Sequence, residues 1–138
     1  MSFPVLLDDV AAAIVTAAIG TATAGDDWFV MKAYMADQPD RAICVYPRPG
    51  AAPDPSWSID SPQFQVAVRG GEADINLVLS KLQNCIDLLH SGEVYLSATP
   101  NTYVYCYALH SGFIPLGPDE KARYRAAVNF RTERNTGL

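Results

Sequence analysis

Residues 62–90 read PQFQVAVRGGEADINLVLSKLQNCIDLLH, and this stretch decides the fold. Over residues 64–69 the apolar and polar side chains alternate, which predicts a strand with one buried face. Two glycines follow and end the strand. Over residues 72–90 the apolar side chains recur every three or four positions, which predicts a helix. A strand that turns directly into an amphipathic helix indicates a sheet covered by helices.

The apolar stripe of this helix predicts what lies beneath it. A helix that is apolar along one stripe lies on the surface of a domain and buries that stripe. We expect the helix to pack on the sheet in this way, with Leu82 buried. The stripe comprises Ile75, Leu79, Leu82, Ile86 and Leu89, and it is widened by Val78 and Leu88.

Toward the N-terminus the chain predicts a second helix and two strands. Residues 3–19 place apolar side chains at helical spacing, and Gly20 follows them. Aromatic and β-branched residues predict strands over 28–35 and 42–46. The intervening residues 36–41 contain two aspartates and a proline, which are typical of a turn. Because the connection is short, we expect the two strands to pair in antiparallel fashion.

Residues 47–62 are rich in proline, with prolines at positions 47, 49, 53, 55 and 62. Proline fixes φ and removes a hydrogen-bond donor, so we expect an extended arm or long loop here, without a central strand or a helix. Trp57 and Ile59 lie within this arm, and two such apolar side chains need a surface that buries them. That surface belongs either to the core of the same subunit or to a neighbouring subunit.

The C-terminal third predicts three further strands and ends in a loose tail. The strands are expected over 93–97, 102–110 and 123–132, with a polar loop at 111–122 and the tail at 133–138. The predicted fold class is therefore α+β. We expect a mostly antiparallel sheet of four to six strands, covered by two helices and carrying a Pro-rich extended loop.

Tyrosine and arginine side chains form two rows on these strands. Three tyrosines alternate along one strand, which indicates a sheet face or a contact stripe. They are Tyr103, Tyr105 and Tyr107. Arg123, Arg125 and Arg131 are expected as an outward row on the last strand, and Asp119 opens the turn before it. A carboxylate beside such a row forms charge-assisted pairs, which either brace a loop within one subunit or serve assembly.

Length, charge and composition limit the classes of protein to which the chain can belong. The chain has 138 residues and a mass of 15.0 kDa, which fits a single domain over residues 1–138. Its net charge of −5 and its pI near 4.8 argue against a dedicated nucleic-acid binder. Only 18% of the residues are charged and 49% are hydrophobic, which indicates that some apolar side chains face another subunit.

No segment predicts a membrane anchor or a signal peptide. Residues 10–25 carry no charge, but this run is too short and too polar to span a bilayer. Asp8 and Asp9 precede it, where a signal peptide carries basic residues. We therefore expect a soluble protein that is not secreted by this route.

Few residues could carry chemistry. Cys44, Cys85 and Cys106 are odd in number and lie in apolar surroundings, which is typical of buried thiols rather than a disulfide framework. On a strand, Cys106 and His110 would lie about 13 Å apart, too far for a hydrogen-bonded catalytic pair. The sequence has no metal-ligand spacing and no complete phosphate-binding motif. We expect no catalytic residue, no metal and no cofactor, and therefore a component of an assembly.

Four segments in consistent order resemble one known family. Residues 37–46 read DQPDRAICVY, and residues 62–70 read PQFQVAVRG. A helix with the ending I-x-x-L follows, at residues 86–89. Residues 115–123 read PLGPDEKAR, and the tripeptide VNF comes shortly after. Over about residues 28–132, the chain resembles the phage tail terminator family, whose members are also described as minor capsid or tail completion proteins.

The resemblance implies a structural virion protein and not an enzyme. It implies a hexameric ring that caps the head-proximal end of the tail tube, stops the addition of tube protein and forms the head-tail joining face. The partners would be other copies of the chain, the major tail tube protein and the head connector or neck protein. DNA would only pass through the lumen, and no membrane would be involved. The protein would reside in the phage tail or neck, and in the bacterial host cytoplasm during assembly.

A closed ring needs two different contact patches on each subunit. The Pro-rich arm and the edges of the sheet are suitable patches. The candidate interface residues are Trp57, Ile59, Arg69, Asp119, Arg123 and Arg125. Two other classes of protein stay open at this point. The nearer is a head-closure or connector subunit of the phage neck, and the more distant is a small-ligand-binding α+β module.

Overall fold

The structure, a computed structural model, describes residues 3–51, 59–90 and 102–135. The helices and strands are α1 Phe3–Thr16, β1 Phe29–Lys32, β2 Ala42–Ala51, β3 Ile59–Gly70, α2 Ile75–Leu89, β4 Thr102–Ala108, β5 Ile114–Pro115 and β6 Tyr124–Asn135. The strands form one open sheet in the order β1-β2-β3-β6-β4, and β5 also pairs with β6. All strand pairs are antiparallel except β1 with β2, which confirms the predicted α+β class.

Both helices cover the same face of the sheet. Helix α1 contacts β1 and β2, whereas α2 contacts β3, β6 and β4. The apolar stripe of α2 is buried as expected, with Leu82 fully inaccessible. Two members are exceptions: Ile75, the first residue of the helix, is 47% exposed, and Leu88, at the margin of the stripe, is 36% exposed. The core joins the two helices to the sheet in one cluster that includes Leu6, Val10, Ile14, Val45, Val66, Val78, Leu82 and Val128.

Strands β3 and β6 form the centre of the sheet. Phe64 lies opposite Phe130, and their stacked rings have centroids 5.1 Å apart. Both side chains are fully buried. The alternation predicted over residues 64–69 is therefore confirmed, since Phe64 and its period-two neighbours face the helices. Gln65 and Arg69 lie on the opposite side of the sheet, which we call the helix-free face.

A glycine permits the tight junction between β3 and α2. A Cβ atom at Gly70 would lie 2.7 Å from Asp74 Cβ and 2.8 Å from Val78 Cγ2. Carbon atoms do not approach this closely without displacement, so a side chain at this position would push α2 away from the sheet. The absence of a side chain lets the first turn of the helix pack on the end of the strand.

The first helix and the first strand are shorter than predicted. Helix α1 ends at Thr16 instead of residue 19, and Ala18 has a φ of 58°, in the left-handed region that a helix cannot continue through. Strand β1 begins after Trp28 and ends before Ala33, whose φ values are 63° and 65°. These two residues turn the chain at each end of the strand.

The expected antiparallel pairing of the first two strands is wrong. Strands β1 and β2 are parallel, with Phe29 opposite Ala42 and Lys32 opposite Val45. The physical reason is the connection 33–41, which returns along the helix-free face before β2 begins. There Met35 and Ala36 pack against a small apolar cluster of Met31, Ala42 and Cys44.

The described parts of the arm predicted at 47–62, residues 47–51 and 59–62, are strand, which corrects the expectation of an extended loop there. Strand β2 extends to Ala51 and β3 begins at Ile59, so prolines 47, 49 and 62 lie within strands. Strand β1 pairs with β2 only as far as Val45, which leaves the rest of β2 as an edge where proline is tolerated. The register shifts between Arg48 and Ala51, next to Gly50, where a Cβ would lie 2.0 Å from the Ser61 carbonyl oxygen.

The C-terminal strands differ from the prediction in their bounds. Strand β4 ends at Ala108, and the predicted loop 111–122 contains the short strand β5. Strand β6 continues to Asn135, so the tail expected from residue 133 is partly paired strand. The strand predicted at 93–97 lies outside the described residues. Neither described helix is long and apolar enough to cross a membrane.

Candidate functional site

Two loops meet on the helix-free face, at the end of the sheet where β3 ends and β6 begins. One is the connection 33–41 and the other precedes β6. Arg69 near the end of β3 and Arg123 just before β6 hold the two loops together. The alternating pattern of β3 places Arg69 on this face, opposite Arg125 of the neighbouring strand. We call this group of side chains the loop cluster.

Arg69 holds the first loop through its backbone. Its Nε donates to the carbonyl oxygen of Asp40 at 3.2 Å. Its Nη2 donates to three further carbonyls of the same loop, those of Ala36 at 2.7 Å, Asp37 at 3.2 Å and Pro39 at 2.7 Å. The side chain is only 4% exposed. One buried guanidinium therefore supplies donors to four loop carbonyls, of which only that of Asp37 also accepts from Arg123.

Arg123 joins the two loops through carboxylates. Its Nε donates to Asp119 Oδ2 at 2.8 Å, and its Nη2 donates to Asp37 Oδ1 at 3.0 Å. Its Nη1 contacts Asp40 Oδ1 at 3.2 Å and the carbonyl oxygen of Asp37. The prediction of an outward-facing Arg123 is wrong, because this network leaves the residue only 7% exposed. Burial follows from position, since the residue lies beneath both loops.

Asp119 shapes the turn before β6. One carboxylate oxygen, Oδ1, accepts from the backbone N–H groups of Lys121 and Arg123 at 2.9 and 3.0 Å. The other oxygen accepts from the Arg123 guanidinium. Arg125 braces the same loop, since its Nε and Nη2 donate to the carbonyls of Gly117 and Leu116 at 3.2 and 3.3 Å. The predicted Asp119–Arg123 pair is thus present, and it lies within one subunit.

The electrostatics of the cluster favour the charged forms of its acids. Hydrogen bonds from Lys121 and then Arg123 hold the pKa of Asp37 below its usual value. Burial alone would raise the pKa of Asp119, but hydrogen bonds from the Arg123 and Lys121 amides and from the Arg123 guanidinium outweigh it and lower this pKa. Burial lowers the pKa of Arg69, and the nearby charge of Arg123 adds to the effect.

A second arginine–aspartate pair fixes the other end of loop 33–41. Arg41 donates to both carboxylate oxygens of Asp74, from Nε at 2.8 Å and from Nη2 at 3.1 Å. Asp74 also accepts from the Gly71 amide at 2.8 Å. The Arg41 guanidinium lies 6.0 Å from the ring centroid of Trp28. This pair ties the start of β2 to the start of α2.

Two adjoining cavities open beside the loop cluster. The larger has a volume of about 470 Å³ and is lined by charged residues of both loops together with Tyr34. The smaller has a volume of about 290 Å³ and is lined partly by Tyr46 and Leu116. Both are bordered by Met35, Arg69, Asp119 and Arg125. Tyr34 is 73% exposed and projects from a loop that the arginines hold in place.

The described groups that could take part in chemistry, both at these cavities and elsewhere in the fold, are buried or hydrogen-bonded. The aspartates of the cluster accept hydrogen bonds from arginine, lysine or backbone amides, so they are poor bases. Within the described ranges, no three His, Cys, Asp or Glu side chains group closely enough to hold a metal ion. Burial raises the pKa of Cys106 to about 12, so this thiol is protonated at neutral pH. The His110 ring contacts the Gly112 carbonyl and the Asn129 amide.

The structure brings four of the six predicted interface residues together. Arg69, Asp119, Arg123 and Arg125 all belong to the loop cluster. Ile59 begins β3 at the far end of the sheet, opposite Asn135. Trp57 lies outside the described residues. Asp37 and Asp40 lie in the first segment that resembles the family, but no local pattern predicts them as partners of Arg123.

Three of the four segments that carry the resemblance contribute residues to this cluster. The loop of the first block accepts hydrogen bonds from Arg69 of the second block and from Arg123 of the last, although the three segments are far apart in sequence. A family model described as bacteriophage tail terminator protein matches residues 14–136. The chain therefore belongs to the bacteriophage tail terminator family, a family of structural proteins of phage tails. No curated protein matches the chain.

Proposed function

We propose that this chain forms a hexameric ring that caps the head-proximal end of the tail tube, stops tube polymerisation and provides the face for joining the head. The observation that carries the proposal is that the open sheet ends in two unlike edges. A ring requires two different patches on each subunit, because each copy contacts the next one head to tail. Membership of the family supports the same assembly.

The first edge is short and partly covered. Strand β1 has four residues, and Thr21 forms a parallel bridge to Phe29 on its outer side. The Val30 amide donates to the Thr21 carbonyl at 3.0 Å, so part of this edge is already satisfied within the subunit. A partner that meets this edge contacts a partly covered surface rather than a free strand.

The second edge is longer. Within the described part of the chain, the seven residues of β4 pair with β6 on one side only. Unpaired strand edges recruit further strands or packing partners. The two edges therefore differ in length and in free hydrogen-bonding groups, which favours a heterologous contact that closes into a ring over a two-fold dimer.

The loop cluster supplies the rigidity that a joining face requires. Because buried arginines hold both loops, side chains displayed there lose little conformational entropy on docking. Tyr34 and Leu116 are exposed at the rim of the cavities, and tyrosine is enriched at interface hot spots. We infer that this rim contacts the tail tube protein or the head connector. The acidic net charge suits a conduit through which DNA slides, because a basic lining would bind its phosphates.

The ring is tested by light scattering on the chain eluting from a size-exclusion column. Six copies of a 15.0-kDa chain give a mass of about 90 kDa. We expect that species to be populated at micromolar concentration and to appear as a ring by electron microscopy. A chain that stays monomeric at every concentration and beside tube protein would contradict the proposal. A ring that binds the connector but never the tube would favour the head-closure class instead.

We further propose that the protein has no enzymatic activity. The polar residues of the loop cluster are engaged with one another, and the two histidines accept or share hydrogen bonds with the backbone. Turnover of any substrate that depends on Arg69, Asp119 or Arg123 would overturn this part of the proposal.

A further inference from the structure

A row of polar side chains crosses the helix-free face at the end away from the loop cluster. Arg48 of β2 lies opposite Gln63 of β3, which in turn lies opposite Arg131 of β6. Tyr107 of β4 continues the row, opposite Arg131. Neighbouring strands are about 4.8 Å apart, so the backbones of the two arginines lie about 10 Å apart on one face.

Both arginines carry an unsatisfied nitrogen. Arg48 Nη1 and Arg131 Nε are inaccessible to solvent and have no hydrogen-bond partner. Among the described residues neither guanidinium forms a salt bridge. The nearest acid along β6, Glu133, accepts a hydrogen bond from Tyr105. An unpaired buried donor carries a free-energy cost, and the cost is greater for a charged group. Within the described residues these two nitrogens therefore lack an acceptor, and the guanidinium groups that carry them lack a carboxylate partner.

A carboxylate is the acceptor that fits two guanidinium groups best. Arginine binds carboxylates through short, charge-assisted hydrogen bonds that also fix orientation. The chain itself provides such groups in excess, with 15 Asp and Glu against 10 Lys and Arg. A second copy of the chain is therefore a chemically matched partner for this row.

Helix α2 offers one carboxylate in suitable surroundings. Asp87 is the only acidic residue between Ile75 and Leu89, and it is exposed. Its described partner is the Gln83 amide at 2.9 Å, so it carries no salt bridge within the described residues. Leu88 beside it is 36% exposed and Leu77, three turns earlier on the same flank, is 44% exposed. This flank of α2 combines apolar surface with one negative charge.

The polar row on the sheet and the flank of α2 carry opposite charge, and each has apolar surface beside that charge. From this complementarity we propose one contact of the ring. In it, the Arg48–Gln63–Arg131 row of one copy binds the Asp87 carboxylate of the next, and the Leu77–Leu88 flank packs beside Tyr107. This inference rests on the proposed ring. It pairs the helix-free face of each copy with the helix-covered side of its neighbour, which is a head-to-tail contact as a ring requires.

The first test separates assembly from folding. Arg131→Met removes the unsatisfied nitrogen but keeps a long apolar side chain. We expect self-association at least tenfold weaker than in the wild-type chain. At a dilution where the ring is dissociated, the melting temperature of the variant should equal or exceed that of the wild type. A melting temperature that falls would mean that Arg131 is satisfied within its own subunit, and would overturn the inference.

The second test uses charge exchange. Arg131→Glu and Asp87→Arg should each abolish the ring when alone, because each places like charges in the contact. Mixed in equal amounts, they should restore a ring in which the two variants alternate, as native mass spectrometry would show. The matched control replaces Asp87→Arg with Asp26→Arg, which also adds an exposed positive charge but lies outside α2. In that mixture the Asp26→Arg chains, whose contact residues are intact, should form rings from which the Arg131→Glu chains are excluded.

The outcomes distinguish this inference from the proposed function. If wild-type rings form and both Arg131 variants form them equally well, the inference fails and the ring stands. If the wild-type chain never forms a ring, both fail. If Arg131→Met assembles normally but loses affinity for a DNA duplex, the row binds phosphate instead and the inference is overturned. Loss of assembly together with rescue by Asp87→Arg supports it.

Discussion

Arg69 and Arg123 lie in the same cluster but hold it by different means. Arg69 donates only to backbone carbonyls, whose acceptor strength does not change with pH. Arg123 donates mainly to carboxylates, which lose their charge in acid. One residue therefore contributes to stability at every pH, whereas the contribution of the other depends on the ionisation of its partners.

Replacement of Arg69 should be costly. Arg69→Met removes the Arg69 donor from the carbonyls of Ala36, Pro39 and Asp40, so we expect the free energy of unfolding to fall by roughly 3 kcal/mol. Arg125→Met is the matched control, because Arg125 is less buried and makes two long hydrogen bonds, and it should cost about 1 kcal/mol or less. Urea unfolding of the monomer measures both. Equal losses in the two variants would show that Arg69 does not hold the loop.

Acid should weaken the loop cluster. The pKa values of Asp37 and Asp119 are lowered in the folded chain, so below about pH 4 the unfolded state binds more protons and stability falls. Above that pH the contribution is fully present. Asp119→Asn should therefore be less stable than the wild type at neutral pH, and its stability should decline less on acidification. Asp26→Asn serves as control. If the free energy of unfolding of Asp119→Asn fell with decreasing pH as steeply as that of the wild type, this account would be contradicted.

Sequence patterns predicted some of this cluster and missed the rest for a physical reason. The Asp119–Arg123 pair was predicted, because four residues separate its members across one turn. The contacts of Asp37 and Asp40 with Arg123 were not, because more than 80 residues separate them and only the folded sheet brings them together. Arg123 was predicted on the outward row, since strand alternation does not report a loop that folds over the strand end.

At the scale of elements, α2 is the part of the core that the sequence describes best. Leu82→Ala should lower the free energy of unfolding by about 2–5 kcal/mol, because the side chain is fully buried between helix and sheet. Leu77→Ala is the matched control on the same helix, since Leu77 is 44% exposed and its loss should change stability by about 0.5 kcal/mol or less. Thermal or urea unfolding of both variants measures these losses. A larger loss of stability in Leu77→Ala than in Leu82→Ala would mean that a different face of α2 packs on the sheet.

The wrong predictions of elements have one cause: each depends on where a strand lies in the folded sheet, which local sequence does not show. Alternation predicted β3, and aliphatic spacing predicted α2, because these signals are local. The parallel pairing of β1 with β2 depends on where loop 33–41 runs, and the packing of Met35 and Ala36 on the helix-free face sets that path. Prolines 47 and 49 fit into β2 because β1 is short, which the sequence of β2 itself does not show.

At the scale of the whole molecule, the segment 52–58 connects β2 to β3, and Trp57 remains a predicted contact with a neighbour. Trp57→Ala should weaken assembly or tube capping by about 2 kcal/mol or more and leave the monomer nearly as stable as before. Trp57→Phe, which keeps an aromatic ring, should lose less. Hydrogen exchange on the monomer provides the check. Protection of this segment as strong as that of α2 would mean that Trp57 packs on its own core.

Tube length measures the central claim most directly. The major tail tube protein of the same phage is polymerised with and without the purified chain, and tubes are counted and measured by electron microscopy. The account predicts that added chain produces shorter tubes that carry a ring at one end only, and that capped ends do not grow when more tube protein is supplied. Tubes of unchanged length with two bare, growing ends would contradict it.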